Sequence, residues 1–404
     1  MQNSVSLYIH IPFCKKKCDY CDFYSISQKE GIADDYISAV LAETRFYANF
    51  YKVDCWKTVY VGGGTPSLMS PRQLEMLILG IKNIAPFDSD CEITVEMNPE
   101  SVCESFIDSC MSVGVNRLSL GIQALDDKAL SAVHRICDSK TALRALDLLS
   151  EMWNGRLSVD FIAGLPNHTY SSFKNQFEKI FLYELIDHIS LYTLTIEENT
   201  PLGHAVENSK IKFSYEKADK MWLIGRTLLE KKGFRNYEIS NFAKPGHESR
   251  HNTTYWKLKN YIGCGAGATG SWYGDYSGKL SLRWTNTLSL KKYIDFWIGS
   301  KNVSAMEEKS LDAEKLRSVE KLDFKTLEFE FLMMGFRMLD GVSSQDFKSR
   351  FKMKLEDRLG VSGGVFAEWK KNRLATVKKN ASDTLYSLNR RGILLLNRFL
   401  EELI

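Results

Sequence analysis

The sequence predicts an α/β protein of parallel strand–helix units followed by a small, mainly helical C-terminal part. Six strand-like apolar runs, starting near residues 5, 56, 92, 116, 156 and 188, alternate with helix-length segments. Residues able to do chemistry cluster at or just after the C-terminal ends of these runs. Barrels and open α/β sheets alike place their sites there. Beyond residue 320 the pattern changes to several helices with a short hairpin.

In chain order, residues 5–11 read as a buried first strand, followed by a cysteine-bearing loop and helix signals over 32–50. Trp56–Val61 reads as a second strand ending in Gly62-Gly63-Gly64-Thr65-Pro66-Ser67, and Pro71 opens the next helix. Proline is at home there because a first-turn N–H has no intrahelical partner to lose. Further strands are expected at 92–97, 116–122, 156–164 and 188–196. Helices are expected around 101–113, near 126–134, over 139–152 and near 170–184. A helix near 214–232 leads to a run at 234–240 and then to a polar segment turning at Pro245-Gly246. Residues 261–274 hold five glycines, a density that suits backbone held close to itself or to a ligand. Residues 291–320 read as a short helix and a charged connector, and 327–339 as an apolar helix.

A chain of 404 residues is long enough for one large domain plus a smaller one. The formal charge of +3 gives no reason to expect a nucleic-acid surface. Nine cysteines, an odd number, argue against a secreted disulfide framework. The first residues lack the basic start and cleavage site of a signal peptide. No apolar run reaches the roughly 18 residues of a membrane span. The cytoplasm is the expected compartment.

Cys14, Cys18 and Cys21 are spaced C-x3-C-x2-C. Three thiolates suit iron, and an iron–sulfur cluster held by three cysteines leaves one iron open to a small molecule. The alternative is a zinc site completed by His10 and Asp22. Glu96 and Asn98 end the third strand, where a carboxylate can pair with a ligand's cation or hydroxyl, or Asn98 can cap a helix. Arg135 offers the fork that recognises carboxylates, or a solvated ion pair. Asp160 is an acid in an otherwise apolar strand and needs a partner if buried. His247, Arg250, His251, Asn252, Tyr255 and Trp256 fall within ten residues. Imidazole can ligate a metal, and flat aromatics can pack on a planar ligand. The bland reading is a polar connector with His251 and Asn252 bonded to backbone. His134 has nothing beside it that asks for a function.

The cysteine spacing, with Tyr20 before the last cysteine and GGGTPS after the second strand, resembles the radical S-adenosylmethionine (SAM) superfamily. The resemblance implies a partial (β/α)6 barrel and a [4Fe-4S] cluster on Cys14, Cys18 and Cys21, with SAM chelating the open iron. It implies that Gly62, Gly63, Gly64 and Thr65 receive the SAM amino group. By the same resemblance Glu96 contacts SAM, Gln123 is a further candidate, Arg135 takes the methionyl carboxylate and Asp160 the ribose hydroxyls. Tyr8 is placed at the same pocket.

Within the superfamily the surroundings resemble the oxygen-independent coproporphyrinogen III oxidase group and, more narrowly, its HemW branch. The oxidases carry another cysteine two residues after the third, where this chain has Phe23. His251-Asn252-Thr253-Thr254-Tyr255-Trp256 resembles the HNxxYW haem-binding motif of that branch, with His251 the expected ligand and His247 the second candidate. The resemblance implies a haem chaperone that delivers haem to an acceptor haemoprotein. It also implies a reductant for the cluster, no nucleic-acid partner, and membrane association only peripherally, through the acceptor. No catalytic residue is assigned. The domains expected are a radical SAM core over 1–240, a motif-bearing extension over 241–300 and a C-terminal helical domain over 310–404. The rival reading is the oxidase itself, decarboxylating propionate side chains with SAM. Two departures from the relatives are Thr269, where histidine is usual, and His168, where glutamine is common.

Overall fold

The first strand, Ser4–Ile11, alternates Val5, Leu7, Ile9 and Ile11 on one face with Ser6, Tyr8 and His10 on the other. The apolar face packs into the main hydrophobic core with the surrounding helices. The polar face continues on neighbouring strands, because a period of two puts alternate residues on one side of a sheet. Ser6 aligns with Thr58, Thr58 with Glu92, and Glu96 with Ser119. Ser119 aligns with Ser158, and Asp160 with Ser190. Apolar residues therefore face the helices and polar residues line the barrel interior.

The computed structural model that gives these contacts describes residues 3–27, 31–299, 311–312 and 315–404. Its six parallel strands are Ser4–Ile11, Cys55–Gly63, Phe87–Met97, Arg117–Gln123, Arg156–Ala163 and Ile186–Thr193. They pair as neighbours in chain order, forming a partial (β/α)6 barrel rather than a closed one. The third strand begins earlier than its apolar run, since Phe87 pairs with Trp56. Helix starts follow local chemistry. Ser70 and Gln73 form a reciprocal capping box ahead of Pro71, and Asp138 caps Ser139–Met152 through the Thr141 N–H.

Both flanks of the barrel are extended. Asn241–Ala243 pairs antiparallel with the sixth strand. Tyr261–Cys264 pairs parallel with the first, and Thr269–Trp272, Leu282–Asn286 and Arg317–Lys321 follow as antiparallel neighbours. The glycine-rich run is thus a tight strand pair, not a ligand loop. A β-carbon on Gly263 would lie 2.0 Å from the Thr269 carbonyl oxygen, and one on Gly270 would meet the Trp284 ring at 2.2 Å. Arg317–Lys321 also corrects the expected charged connector. The rest of that connector, residues 300–310 and 313–314, lies outside the described residues.

A second hydrophobic core gathers Leu327, Phe331, Phe347, Phe366, Trp369 and Phe399, among others. Its helices are Phe324–Gly335, Ser344–Phe351, Leu355–Leu359, Val365–Lys371 and Leu396–Leu403. A three-stranded sheet, Val342–Ser343, Ala375–Lys379 and Thr384–Leu388, completes it. Arg350 ties this core to the barrel extension by donating to the carbonyls of Lys257 and Leu258. Among the described residues no helix is long and apolar enough to cross a membrane.

Candidate functional site

At the C-terminal end of the barrel strands a cavity of about 410 Å³ opens beside the cysteine loop. Cys14, Cys18 and Cys21 line it together with Gly63, Gly64, Glu96, Gln123, Arg135 and Asp160. The cysteine loop lies between strand one and its helix and is pinned at several points. The Asp19 N–H donates to the Val133 carbonyl, and the Cys21 N–H to that of Cys18. Asp19 also meets His134 Nδ1 at 2.6 Å, so an exposed histidine holds the cysteine loop to the turn that carries Arg135.

Arg135 is the hub. It donates through Nη2 to Asn98 Oδ1 at 2.9 Å and to the Gly121 carbonyl at 2.6 Å, and through Nη1 to Cys18 Sγ at 3.5 Å. Its Nε is buried and has no hydrogen-bond partner among the described residues. Asn98 in turn donates to Thr65 Oγ1 at 2.9 Å, and Thr65 donates to Cys14 Sγ at 3.5 Å. Asn98 is therefore neither a surface residue nor a side-chain helix cap. It joins three strand-end loops, a role that its sequence neighbourhood does not reveal.

Glu96 is held by the Tyr60 hydroxyl at 2.7 Å and the Gly63 N–H at 3.0 Å. Burial, then the nearby Asp160 charge, pushes its carboxyl up to about 7 against those hydrogen bonds. Asp160 is likewise raised by burial, against hydrogen bonds from Ser190 and Ser119 and the charge of Arg117. Both acids border the cavity with donors already in place. Gln123 sits at φ 68°, an unusual conformation for a residue with a β-carbon, at the point where the fourth strand turns into the cavity. Gly121 keeps space open, since a β-carbon there would approach Gln123 Nε2 at 2.9 Å and Asn98 Oδ1 at 3.2 Å. Ser119 and Tyr192, not singled out from the sequence, also line the cavity.

The remaining candidates lie elsewhere. Gly62 and Thr65 stand behind the cavity wall. A β-carbon on Gly62 would strike Tyr60 and Glu96, and Thr65 is buried. Tyr8 also lies behind the wall, its hydroxyl 2.8 Å from His10 Nδ1. His10 Nε2 donates to the Tyr24 carbonyl at 2.9 Å, and burial lowers its pKa. The neutral ring thus has its second nitrogen accepting from Tyr8, and neither is free for zinc. Thr269 meets Thr285 Oγ1 at 3.0 Å within the strand extension. His168 is fully enclosed with neither ring nitrogen bonded among the described residues, and burial lowers it to about 4.

His251 lies near the opposite, N-terminal end of the barrel. The motif helix Arg250–Trp256 caps that end. Its backbone N–H donates to buried Glu92 Oε1 at 2.9 Å. Its Nδ1 meets Thr58 Oγ1 at 2.7 Å and its Nε2 meets the Tyr255 hydroxyl at 2.7 Å. Both nitrogens are engaged and the residue is 1% exposed, so the ring offers no lone pair to an iron in this arrangement. His247 is tied to Asp187 at 2.9 Å.

Three cysteines, two buried acids and a guanidinium thus gather around one cavity at the strand ends of an α/β barrel. A family model described as "Radical SAM superfamily" matches residues 8–180. The chain is 34% identical over 363 residues to the mouse "Radical S-adenosyl methionine domain-containing protein 1, mitochondrial", covering 89% of this chain and 79% of that protein. It is 31% identical to "Heme chaperone HemW" of Lactococcus lactis, covering 89% and 88%, and 34% identical to that of Escherichia coli, covering 85% of each. The solved Escherichia coli coproporphyrinogen III oxidase HemN superposes with a TM-score of 0.77 at 18% identity, covering 100% of this chain and 90% of that one, a likeness of fold. The chain belongs to the HemW family of radical SAM proteins.

The cofactors of that superfamily, a [4Fe-4S] cluster and SAM, fit the residues present. The three thiols are free and partly exposed on the cavity wall. Burial pushes Cys21 up to about 11, so a bound cation is what would hold its thiolate. The orphaned Arg135 Nε gives the cavity a spare donor for a carboxylate.

Proposed function

We propose that this protein is a haem chaperone that binds haem and delivers it to acceptor haemoproteins, built on a [4Fe-4S]- and SAM-binding barrel. Its likeness along most of the chain to proteins named haem chaperones carries this reading. Phe23 supports it, standing 66% exposed on the cavity wall near the position where the oxidases carry a further cysteine. The working compartment is the cytoplasm, and a cellular reductant serves the cluster.

When bound, a [4Fe-4S] cluster would supply single electrons to SAM. The chain's residues do the rest by position. Cys14, Cys18 and Cys21 hold the cluster, and Arg135 orients a carboxylate beside Cys18. Glu96 and Asp160 accept from the ligand's ammonium and hydroxyl groups. Gly63 and Gly64 make room for the His10 ring and the Phe13 carbonyl, which a β-carbon would approach to 2.5 and 2.6 Å, and so let the strand end pack against the cysteine loop.

Anaerobic reconstitution with iron and sulfide, then titration with haem, tests the reading. Stoichiometric haem binding that survives Cys14→Ala is expected, with loss of the cluster absorbance in that variant. Failure to bind haem, together with decarboxylation of coproporphyrinogen in the presence of SAM and reductant, overturns it in favour of the oxidase.

A further inference from the structure

Two cavities meet beside the motif helix. One, of about 520 Å³, is lined by Lys57, Arg250, Lys257, Lys259 and Arg350 together with several serine and threonine hydroxyls, and no carboxylate lines it. The other, of about 640 Å³, runs between the motif helix and the second core, with Trp256, Phe331, Met338 and Val342 on its walls. Lys257, Lys259 and Arg350 belong to both.

The positive charge is only partly answered. Asp88 lies 3.6 Å from Lys57, Asp90 3.0 Å from Arg250 and Asp346 2.8 Å from Arg350. Asp340, on the wall of the larger cavity, is taken by Arg235 at 2.6 Å. Lys257, Lys259 and Lys378 have no carboxylate partner among the described residues. Partial burial, then the charges of Lys257 and Arg350, lowers Lys259 below the ordinary lysine value against the opposing charge of Asp346. An anion bound here relieves that repulsion. The Trp256 indole N–H is a further unanswered group, buried and without a partner among the described residues. The ligand that matches is flat and apolar, with a pair of carboxylates on one edge.

We propose that this groove receives haem edge-on, its two propionates taken by Lys257 and Lys259 and its ring lying against Trp256. The inference rests on the haem-chaperone reading and gives that function a place that leaves His251 closed. The HNxxYW helix then serves as one wall of the site, with its own histidine a brace inside the barrel.

Titrating the full-length protein with haem and with haem dimethyl ester, whose propionates carry no charge, tests the proposal. The unmodified protein is expected to bind haem more tightly than the ester. Lys257→Glu with Lys259→Glu is expected to weaken haem binding by about tenfold or more, two reversed ion pairs being involved, and to leave ester binding unchanged. Lys257→Gln with Lys259→Gln gives a milder loss in the same direction. Both lysine side chains reach solvent, and the cluster absorbance after reconstitution, read at the far end of the barrel, reports that each variant is folded. Equal affinity of the unmodified protein for haem and ester, or unaltered haem binding by both variants, overturns the propionate site and leaves the chaperone reading standing. Inorganic phosphate that saturates the basic cavity without displacing haem likewise assigns those lysines to a small anion. No haem binding by the unmodified protein overturns the chaperone reading and this site with it.

Discussion

The two ends of the barrel solve opposite problems with similar residue types. At the C-terminal end, polar groups are left partly unanswered. Arg135 Nε has no partner, two acids are raised by burial, and Gln123 is held at positive φ. At the N-terminal end, Glu92, Thr58, His251 and Tyr255 answer one another within hydrogen-bonding distance. Unanswered buried polarity is costly, and among the described residues it occurs at both ends, at Arg135 Nε and at Arg117 Nε, Asp187 Oδ1 and the Trp256 indole; what sets the C-terminal end apart is that its polar groups border an open cavity. Closed polarity marks a brace. The difference teaches that a motif's name and its location need separate arguments. The His251 ring is enclosed, while the open surface beside the motif is made by its neighbours in sequence and by the second core.

Cys14→Ala should break the comparison at the open end, with the largest effect. Cluster absorbance after reconstitution should be lost essentially completely, while thermal stability of the cluster-free protein changes little because Cys14 is only partly buried. His251→Ala should break the closed end. It removes a buried ring and strands two hydroxyls, so unfolding free energy should fall by about 3 kcal/mol in denaturant titrations. Cluster incorporation should persist in the folded fraction.

The same variant sharpens the comparison through pH. Burial, then the Arg117 charge, lowers His251 to about 3 from an ordinary 6.5. Between those values the unfolded chain binds the proton and the native chain does not. The stability gained from keeping the ring neutral is therefore present above pH 6.5 and lost as pH falls toward 3. His251→Ala should flatten that acid limb, and the residual slope belongs in part to His168 and His188, which burial also lowers. An acid limb of unchanged steepness would show that His251 is not held neutral.

Arg135→Lys should have a smaller effect, weakening SAM binding by about tenfold in calorimetry because an ammonium cannot reproduce the fork. Phe23→Ala should have the smallest. With the ring largely in solvent, stability should stay within about 0.5 kcal/mol of the parent in a melting comparison.

Much of this was legible because it is local. All six barrel strands appear at the expected places, since each carries its own period-two pattern and is bounded by turn residues. The cysteine loop needed only spacing. The strand Arg317–Lys321 did not show itself, because its burial pattern is almost wholly exposed and its partner Leu282–Asn286 supplies the reason for it to be a strand. The glycines at 263 and 270 were legible as close approach, but whether to backbone or ligand depended on Thr269 and Trp284.

The sequence by itself determined the donor types: three thiols within eight residues, a glycine turn after a strand, and one segment of histidines and aromatics. Tertiary structure decided which of those donors are open. His251 is closed by Thr58, 193 residues away, and the basic groove joins Lys257 and Lys259 to Arg350 of the second core. Whether a side chain has a free lone pair or charge depends on what the fold brings within about 3 Å of it, and the spacing of residues along a chain carries no record of that.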